Sequence, residues 1–442
     1  MNLTDALRIR PGTVVALTGA GGKSTTMGLV TRELRGQTPV LLTTTTKLGL
    51  EQSDLGETHI VLEGRELDLE IESLLGERAS VLITGPRDDD GLKWLGISAG
   101  LLSKIIVHCK NINAVTIVEA DGSRGRSLKF PAEHEPVVPR ETDLVVPVVG
   151  LDVIGKELHE RDVHRAGRFS EHLGVDLGAS ITCDHIIQLL SDNRGGLKGV
   201  TPGSDVRVLL NKIDSDIELR HGRDIADGLI QNEAIRSVCL GSMLSSDAIL
   251  ESTSRVAAVI LAAGGSTRMG GAKVTHEWDG KPMITRAVGA AREAGLWPIT
   301  VVIGAYGELV RDVLRGEQVE FVENEAWEEG QSLSVKAGLE AVRGRAEAVV
   351  FLLADMPLVD GDLVKALVNE HRKTLAPIIA PWVGGKRGNP ILFDVNTYHA
   401  MGGLSGDQGA RALTSQFPVR PIEWDERALF DVDFPGDLPG IS

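Results

Sequence analysis

Two apolar segments that run directly into glycine-rich turns constrain this chain more than any other feature. VVALTGAGGKSTT begins at Val14, and VAAVILAAGGSTRMGGAK begins at Val256. A strand followed by a glycine-rich turn typically opens an α/β domain, because glycine lets the backbone turn sharply where the strand ends. The spacing of the glycines differs between the two segments, so they predict two different α/β domains and not a duplication.

Further apolar strand candidates alternate with helical patterns in both halves, which predicts mostly parallel, doubly wound sheets. They lie at 14–17, 40–43, 81–84, 115–118, 206–210, 256–263, 299–303, 319–322 and 348–353. One helix is predicted from Pro282 in its first turn and from Gly295 after its end. Its apolar stripe consists of Ile284, Val288 and Ala291.

The length of 442 residues predicts two or three domains. The serine-rich stretch 241–255 lacks apolar periodicity and is typical of a linker. We therefore expect a P-loop-like α/β domain over residues 1–245 and a Rossmann-like, doubly wound domain over residues 254–442. With 62 acidic against 46 basic residues, the formal charge of −16 argues against nucleic-acid binding. Three scattered cysteines, and the lack of a signal peptide or an apolar run of membrane length, predict a cytoplasmic protein without a membrane partner.

The second glycine-rich segment carries the residue types that a nucleoside triphosphate needs. Its glycines allow phosphates to approach the backbone, whose N–H groups can face anionic oxygens. Arg268 and Lys273 add positive charge that can stabilise departing pyrophosphate. Asp355 follows the strand candidate that ends at Leu353, where a carboxylate can hold Mg²⁺. Arg268 and Lys273 are therefore predicted catalytic residues. By residue type alone Asp355, in a D-x-P sequence, is more typical of a surface turn, and it joins the predicted catalytic residues only through the family resemblance given next.

The same segment resembles the L-A-A-G-x-S-x-R-M-G-x-x-K signature of the MobA-like nucleotidyltransferases, and specifically of the molybdenum cofactor cytidylyltransferases. Further resemblances follow in order, among them NEAWEEGQSLSVKAGL, LLADMPLV, GNPILF, GDQGARAL and DVDFPGDL. The family resemblance implies transfer of CMP from CTP to the molybdopterin of the molybdenum cofactor, with Mg²⁺ as cofactor and pyrophosphate as product. Ala263 stands where guanylyl-transferring relatives usually carry a glycine, which favours CTP over GTP.

The resemblance also implies which residues bind metal and nucleotide. The family's metal ligands correspond to Asp355 and Asp433, although Phe434 and Gly436 depart from its pattern around the second acid. Its nucleotide contacts correspond to Leu261, Ala262, Ala263, Gly264, Gly265, Ser266, Arg268, Lys273, Gln331 and Ser332. By residue type alone, Ser332 is also a good N-cap for the helix that follows it.

Two loops resemble the pterin-facing loops of the family, GNP at Gly388 and GDQGAR at Gly406. The substrate contacts implied there are Asn389, Asp407 and Arg411. By residue type alone these loops are turns, and a local ion pair is an equally good role for Arg411.

The first glycine-rich segment follows the logic of a phosphate-binding loop. Backbone N–H groups of Gly21 and Gly22 can cradle phosphates, Lys23 can neutralise them, and Ser24 can reach Mg²⁺. Leu17 stands where the full G-x-x-x-x-G-K-[ST] pattern has its first glycine, so the loop is closer to that of Mur-ligase-type ATPases.

Two further groups of polar residues support nucleotide binding in the first half. Glu119 and Asp121 follow a strand candidate where a metal-side acid would sit, and Asp121 is the predicted ligand together with Ser24. The N-K-x-D sequence of Asn211, Lys212 and Asp214 resembles the guanine-reading motif of GTPases, and both ATP and GTP stay open. A third, basic group forms either an anion-binding loop or a solvated turn: Arg124, Arg126 and Lys129.

VEADGSRGRSLKFPAEHEPVVP, which begins at Val118, resembles the selenium-dependent hydroxylase accessory (YqeC-like) family, as do TTTTKL and GGLKGV. The resemblance covers about residues 10–240 and implies a nucleotide-dependent role in the maturation of a molybdenum hydroxylase, whose apoenzyme is a candidate partner. Two alternatives stay open. The chain could be a nucleotidyltransferase for another small phosphate, such as a sugar phosphate, or a chaperone that carries finished cofactor to a hydroxylase.

Overall fold

The computed structural model describes residues 1–62, 75–76, 79–266, 269, 271–406 and 409–438. The predicted site residues Arg268 and Asp407 lie outside these ranges. The chain divides into two compact units, Met1–Thr253 and a second that begins at Ser254. Within the described ranges, no helix is both long enough and apolar enough to cross a lipid bilayer.

The first unit is built on a sheet of nine described strands. They are β1 (Val14–Gly19), β2 (Val40–Thr44), β3 (Thr58–Val61), β4 (Ser80–Thr84), β5 (Val115–Glu119), β6 (Leu144–Gly150), β7 (Asp205–Asn211), β8 (Ile235–Gly241) and β9 (Ile249–Ser254). Its described helices are α1 (Leu3–Ala6), α2 (Lys23–Leu34), α3 (Ala99–Asn111), α4 (Ala166–Leu173), α5 (Cys183–Ser191) and α6 (Asp216–Leu229). Two short ladders pair Lys47–Gly49 with Lys93–Leu95 and Leu128–Lys129 with Val163–His164.

The strand order of this sheet places the predicted site residues at one edge. The order is β9-β8-β7-β6-β1-β5-β2-β4-β3, and the strands from β8 to β3 in that order pair in parallel. Strands covered on both faces consist of continuous apolar runs, and the first five residues of β1 are all buried. Because parallel strands end at the same edge, the residues that follow β1, β5 and β7 come together.

The second unit is built on a sheet of eight described strands. They are β10 (Val256–Ala262), β11 (Ile299–Ile303), β12 (Glu320–Glu323), β13 (Ala348–Leu353), β14 (Ile378–Val383), β15 (Lys386–Arg387), β16 (Ile391–Asp394) and β17 (Val419–Glu423). The order is β12-β11-β10-β13-β16-β14-β15, with β17 beside β14. The strands from β12 to β13 in that order are parallel, and β16 is antiparallel to β13. The described helices are α7 (Met283–Glu293), α8 (Gly307–Val313), α9 (Gln331–Val342), α10 (Gly361–Thr374) and α11 (Tyr398–Gly402).

Strand β10 shows why this sheet is covered on both faces. Successive side chains of a strand point to opposite faces. Ala258 and Ile260 pack in a core cluster with α7 and α10, whereas Ala257 and Val259 pack in another cluster with α9. Each fully buried Val or Ile side chain contributes roughly 1.5–3 kcal/mol. The apolar run of β10 therefore serves two cores, which confirms the predicted doubly wound α/β class.

Helix α7 matches the predicted helix. Its stripe of Ile284, Val288 and Ala291 is buried against the sheet. Gly295 follows the helix with a φ of 70°, the left-handed conformation that glycine adopts readily. Pro282 occupies the N-cap, one position before the first turn in which it was predicted.

The stretch that was predicted to be a linker contains strand β9. This strand lies beside β8 at the edge of the first sheet and buries Ile249, Glu251 and Thr253. Arg223 Nε donates a hydrogen bond to Glu251 at 2.9 Å. The first unit therefore extends to Thr253, because an ion pair with α6 allows a polar, serine-rich segment to form an edge strand.

Candidate functional sites

The loop after β10 (residues 263–272, the second loop) is described at 263–266, 269, 271 and 272, and a hydrogen bond joins its beginning to the residue that follows it. Ser266 has a left-handed φ of 47°, and its Oγ accepts a hydrogen bond from Lys273 N at 3.3 Å. Gly265 is needed for close packing, because a Cβ there would lie 2.6 Å from the Trp327 ring. Gly264 is exposed, and a Cβ there would meet no atom of the described residues within 4 Å. The backbone at Gly264 therefore borders open space that a ligand can enter.

Lys273 joins two acidic residues that are far apart in sequence. Its Nζ lies 2.8 Å from Asp355 Oδ2 and 3.0 Å from Asp433 Oδ1. Asp355 follows β13, and its carbonyl oxygen accepts a hydrogen bond from Val432 N at 3.0 Å. Asp437 accepts a hydrogen bond from Asp433 N at 2.9 Å and holds that segment in shape. The two carboxylates thus converge on one cation beside the second loop.

The charges at this site depend on one another. Burial would lower the pKa of Lys273, but its interactions with Asp355 and Asp433 outweigh burial and raise that pKa above its usual value. Burial, and then the charges of Asp433 and Asp355, raise the pKa of Asp431. The described residues contain no group of three or more His, Cys, Asp or Glu side chains that could hold a metal. A metal here would bind two carboxylates and complete its shell with phosphate or water oxygens, as Mg²⁺ commonly does.

The start of α9 differs from its prediction. Gly330, with a φ of 122°, is the N-cap, so the N-cap prediction for Ser332 is wrong. The reason is that the chain enters this helix with a positive φ, which glycine tolerates and serine does not. Ser332 is the second helical residue, after Gln331, and its N donates to Gly406 O at 3.2 Å. Its buried Oγ has no hydrogen-bond partner among the described residues, so a polar ligand atom can serve as one.

Arg387, which the sequence analysis did not predict, lies near the predicted substrate contacts Asn389 and Arg411. Arg411 is exposed on a 3₁₀ turn and forms no ion pair with a described residue. Arg387 Nη1 donates to Thr414 Oγ at 2.7 Å, and burial followed by the charge of Arg411 lowers the Arg387 pKa. Asn389 lies in the same segment as Arg387. The only sequence signal for Arg387 was its position directly before the GNP motif.

In the first unit, the loop after β1 (residues 20–24, the first loop) is packed against its own sheet. Gly21 has a φ of 88°, and a Cβ there would collide with Gly150 N. Gly22 has a φ of 126°, and a Cβ there would collide with Asn211 Nδ2. Helix α2 begins directly afterwards at Lys23. Only glycine therefore fits the two positions before the helix.

Lys23 belongs to a buried chain of charges. Its Nζ lies 3.0 Å from Asp121 Oδ1, and Lys129 Nζ lies 2.8 Å from Asp121 Oδ2 and 2.8 Å from Glu135 Oε2. Arg165 Nη1 lies 2.7 Å from the same Glu135 oxygen. Burial would lower the pKa of Lys23, but the charges of Asp121 and Glu119, together with the hydrogen bond to Asp121, outweigh burial and raise that pKa. Burial would raise the pKa of Glu135, but Arg165 and Lys129 hold it at about 2.

Ser24 contacts Glu119 and not Asp121. Ser24 Oγ donates to Glu119 Oε2 at 3.0 Å and accepts a hydrogen bond from Gln52 Nε2. Burial raises the pKa of Glu119, although the charge of Lys23 opposes this. Both oxygens of Asp121, the predicted metal ligand, are instead engaged by lysines. The arrangement therefore favours Glu119 as the acid beside Ser24, whereas the sequence predicted Asp121.

The N-K-x-D residues have different environments. Asn211 Nδ2 donates to Gly21 O at 2.7 Å and so holds the first loop in place. Lys212 Nζ lies 3.3 Å from Asp152. Asp214 is exposed and accepts a hydrogen bond from Ser242 Oγ at 2.8 Å. Asn211 is buried and Lys212 is half-buried, whereas the carboxylate of Asp214 is exposed to solvent, where a nucleotide base could contact it.

A cavity of about 510 Å³ opens over the first loop, a size that suits a small-molecule ligand. Its wall includes Glu119 and residues 21–25. The cations that line it are Lys23, Lys47, Lys93, Arg124, Arg126 and Lys212. Against them the lining contains two acids, Glu51 and Glu119. The lining is therefore predominantly positive in a protein with a formal charge of −16.

The α/β sheet, the glycine-rich second loop and the converging acids define the second unit as a nucleotidyltransferase domain. The family model of the MobA-like NTP transferase domain matches residues 258–420. The family model of the YqeC protein matches residues 15–167. The chain therefore joins a YqeC domain to a MobA-like NTP transferase domain.

Curated relatives match one half of the chain each. The uncharacterized protein YqeC of Escherichia coli (strain K12) is 28% identical over 194 residues, which are 43% of this chain and 72% of that protein. The bifunctional protein GlmU of Geotalea uraniireducens (strain Rf4) is 40% identical over 126 residues, which are 28% of this chain and 27% of that protein. The chain thus spans about a quarter of the length of GlmU.

Solved structures similar to the chain cover less than half of it. Rv0371c from Mycobacterium tuberculosis H37Rv has 25% sequence identity and a TM-score of 0.38, over 41% of this chain and 95% of that chain. A complex of Rv0371c with manganese has 23% identity and a TM-score of 0.37, over 42% of this chain and 96% of that chain.

Proposed function

We propose that the second unit transfers CMP from CTP to the phosphate of molybdopterin in the molybdenum cofactor and releases pyrophosphate. The observation that carries the proposal is the convergence of Asp355 and Asp433 on Lys273 beside the second loop. The match to the MobA-like NTP transferase domain supports the reaction class. The choice of CTP and molybdopterin rests on the motif resemblance, including Ala263.

Asp355 and Asp433 fit a bound Mg²⁺. Their carboxylate oxygens are ligands that Mg²⁺ prefers, and both already lie close to one positive charge. When bound, Mg²⁺ would neutralise negative charge on the triphosphate. Lys273 would then exchange its contact with the acids for a phosphate oxygen, where its charge stabilises the departing pyrophosphate.

The reaction requires no protein nucleophile. An anionic oxygen of the molybdopterin phosphate attacks the α-phosphorus of CTP and forms a P–O bond. The bond from the α-phosphorus to the bridging oxygen breaks, and its electron pair leaves with pyrophosphate. The protein contributes position and charge: the backbone at Gly264 and Ser266 holds the triphosphate, and Arg268 and Lys273 stabilise the leaving group.

The remaining predicted residues divide between the two substrates. The unpartnered Ser332 hydroxyl and the side chain of Gln331 contact the nucleotide. Arg387 and Arg411 supply positive charge for the phosphate of the pterin. Asn389 contacts the same substrate, and the family resemblance adds Asp407 to these contacts. The adjacent arginines support an anionic second substrate, because neither has an acidic partner among the described residues.

The first unit acts in this proposal as a nucleotide-dependent accessory for maturation of a molybdenum hydroxylase. ATP or GTP would place its phosphates over Gly21, Gly22 and Lys23. Ser24 and Glu119 would hold Mg²⁺, since the hydroxyl and the carboxylate already touch. The cationic cavity supports this role, and Asp214 is the residue that would select guanine.

The test uses the full-length protein with Mg²⁺, metal-loaded molybdopterin, and either CTP or GTP. We expect CTP-selective release of pyrophosphate with stoichiometric formation of the cytosine dinucleotide, and loss of both when EDTA removes the metal. Transfer to a sugar phosphate but not to molybdopterin would replace the proposal with a small-phosphate transferase. Stable binding to an apo-hydroxylase without turnover of either nucleotide would replace it with a cofactor carrier.

A further inference from the structure

We propose that the cavity of the first unit binds a second oxyanion, a phosphate- or carboxylate-bearing ligand, across from the first loop. The inference rests on the proposed nucleotide site and adds a ligand beside it. Two cations outside the first loop carry it. Lys93 comes from the ladder strand Lys93–Leu95, and Arg124 comes from the turn after β5. Both line the cavity, and neither forms an ion pair with a described residue.

The other cations of this cavity already have partners. Lys47 Nζ lies 2.9 Å from Asp88 Oδ2, and Lys212 contacts Asp152. Arg126 Nε donates to a backbone carbonyl oxygen at 2.9 Å. Glu119, one of the two acids in the lining, accepts the hydrogen bond from Ser24. An anionic ligand would therefore balance charge chiefly at Lys93 and Arg124.

Two contacts place these cations relative to the first loop. The ladder that carries Lys93 joins the loop through Gln52, which accepts a hydrogen bond from Gly49 N at 2.9 Å and donates one to Ser24 Oγ. The turn that carries Arg124 joins the loop through Gly21 N, which donates to Arg126 O at 2.9 Å. The two segments flank the loop, so an oxyanion held by both cations lies over it. Charge-assisted contacts of this kind give strong and specific oxyanion binding.

The experiment is a calorimetric titration of inorganic phosphate into the full-length protein with Mg²⁺. The protein is first saturated with AMP-PNP or GMP-PNP, whichever binds, and a parallel titration uses malonate to distinguish a phosphate ligand from a carboxylate ligand. We expect one anion to bind beside the nucleotide analogue. The double variant Lys93→Ala, Arg124→Ala should weaken anion binding at least about tenfold and change the affinity for the analogue less than about threefold. Lys104→Ala, an exposed position on α3 outside the cavity lining, is the matched control.

Three results would overturn the inference: neither anion binds, binding is unchanged in the double variant, or the anion displaces the analogue because one site serves both. If neither analogue binds, the nucleotide proposal fails, and the anions are titrated into the unliganded protein. Anion binding that the double variant loses there would retain the oxyanion site without the nucleotide site. If the double variant retained the binding of both anions there, the oxyanion site would be rejected together with the nucleotide site.

Discussion

The first and second loops both follow an apolar strand, yet they are held in different ways. The first loop is packed against its own sheet, and its lysine forms an ion pair with one buried acid, Asp121, which also pairs with Lys129. The second loop borders open space at Gly264, and its lysine bridges Asp355 and Asp433 from distant segments. A glycine-rich motif alone therefore does not reveal what its loop binds. The acids that the fold brings to the lysine distinguish the two cases.

The largest expected effect separates the two loops by activity. Asp355→Asn should lower kcat/KM for nucleotidyl transfer by about 10³, because the metal and Lys273 lose a charged partner at the reacting phosphates. Lys23→Ala should leave the same rate within about twofold, because Lys23 lies in the other unit. Steady-state pyrophosphate release measures both.

A second variant of the first loop is needed because Lys23 is buried among charges, and its replacement can unfold the first unit. Ser24→Ala removes only a hydroxyl and should also leave transfer unchanged. Equal loss of transfer from Asp355→Asn and Ser24→Ala would disprove the division of labour between the two units.

The next effect compares how the loops are packed. Gly21→Ala should lower the free energy of unfolding of the first unit by about 2–4 kcal/mol, because the new Cβ meets backbone at a positive φ. Gly264→Ala should change the free energy of unfolding of the second unit by no more than about 0.5 kcal/mol, since Gly264 is exposed and a Cβ there meets no atom of the described residues within 4 Å. Hydrogen exchange of the β1 and β10 amides measures the stability of each unit separately. Equal losses of protection from Gly21→Ala in β1 and from Gly264→Ala in β10 would contradict the difference in packing between the two loops.

The smallest effect concerns the buried charges under the first loop. The pKa of Glu135 is held at about 2, below its usual 4.5, so the ionised carboxylate stabilises the fold fully above pH 4.5. That contribution is lost as pH falls from 4.5 towards 2. Glu135→Gln should therefore lower the free energy of unfolding at pH 7 by about 2 kcal/mol, after allowance for solvent screening.

The pH profile provides the check on this prediction. Urea unfolding followed by circular dichroism should show a flatter decline in stability between pH 4.5 and pH 2 for Glu135→Gln than for the unchanged protein. Glu133→Gln is the control, because that side chain is 93% exposed. Identical slopes for all three proteins would show that the interactions of Glu135 are too well screened to matter.

Local patterns were sufficient for most of the fold. The run VAAVILA predicts a strand buried on both faces, and Gly295 predicts the end of α7, because apolar periodicity and backbone freedom are properties of neighbouring residues. Strand β9 was missed because its partners, the neighbouring strand β8 and Arg223 on α6, lie outside the segment itself. The N-cap was predicted two residues too late, at Ser332 and not at Gly330, because residue type does not reveal the positive φ at Gly330.

The sequence by itself determined two α/β units, their order, and the loops and acids from which a nucleotide site could be built. Only the tertiary structure decided which acid faces which cation. Asp355 and Asp433 lie on distant segments of the second unit, yet they meet at Lys273, whereas Glu119 and Asp121 are close in sequence and take different partners. The physical reason is that a residue's charge is fixed by its type, but its partner is fixed by which strand ends and turns the fold brings together.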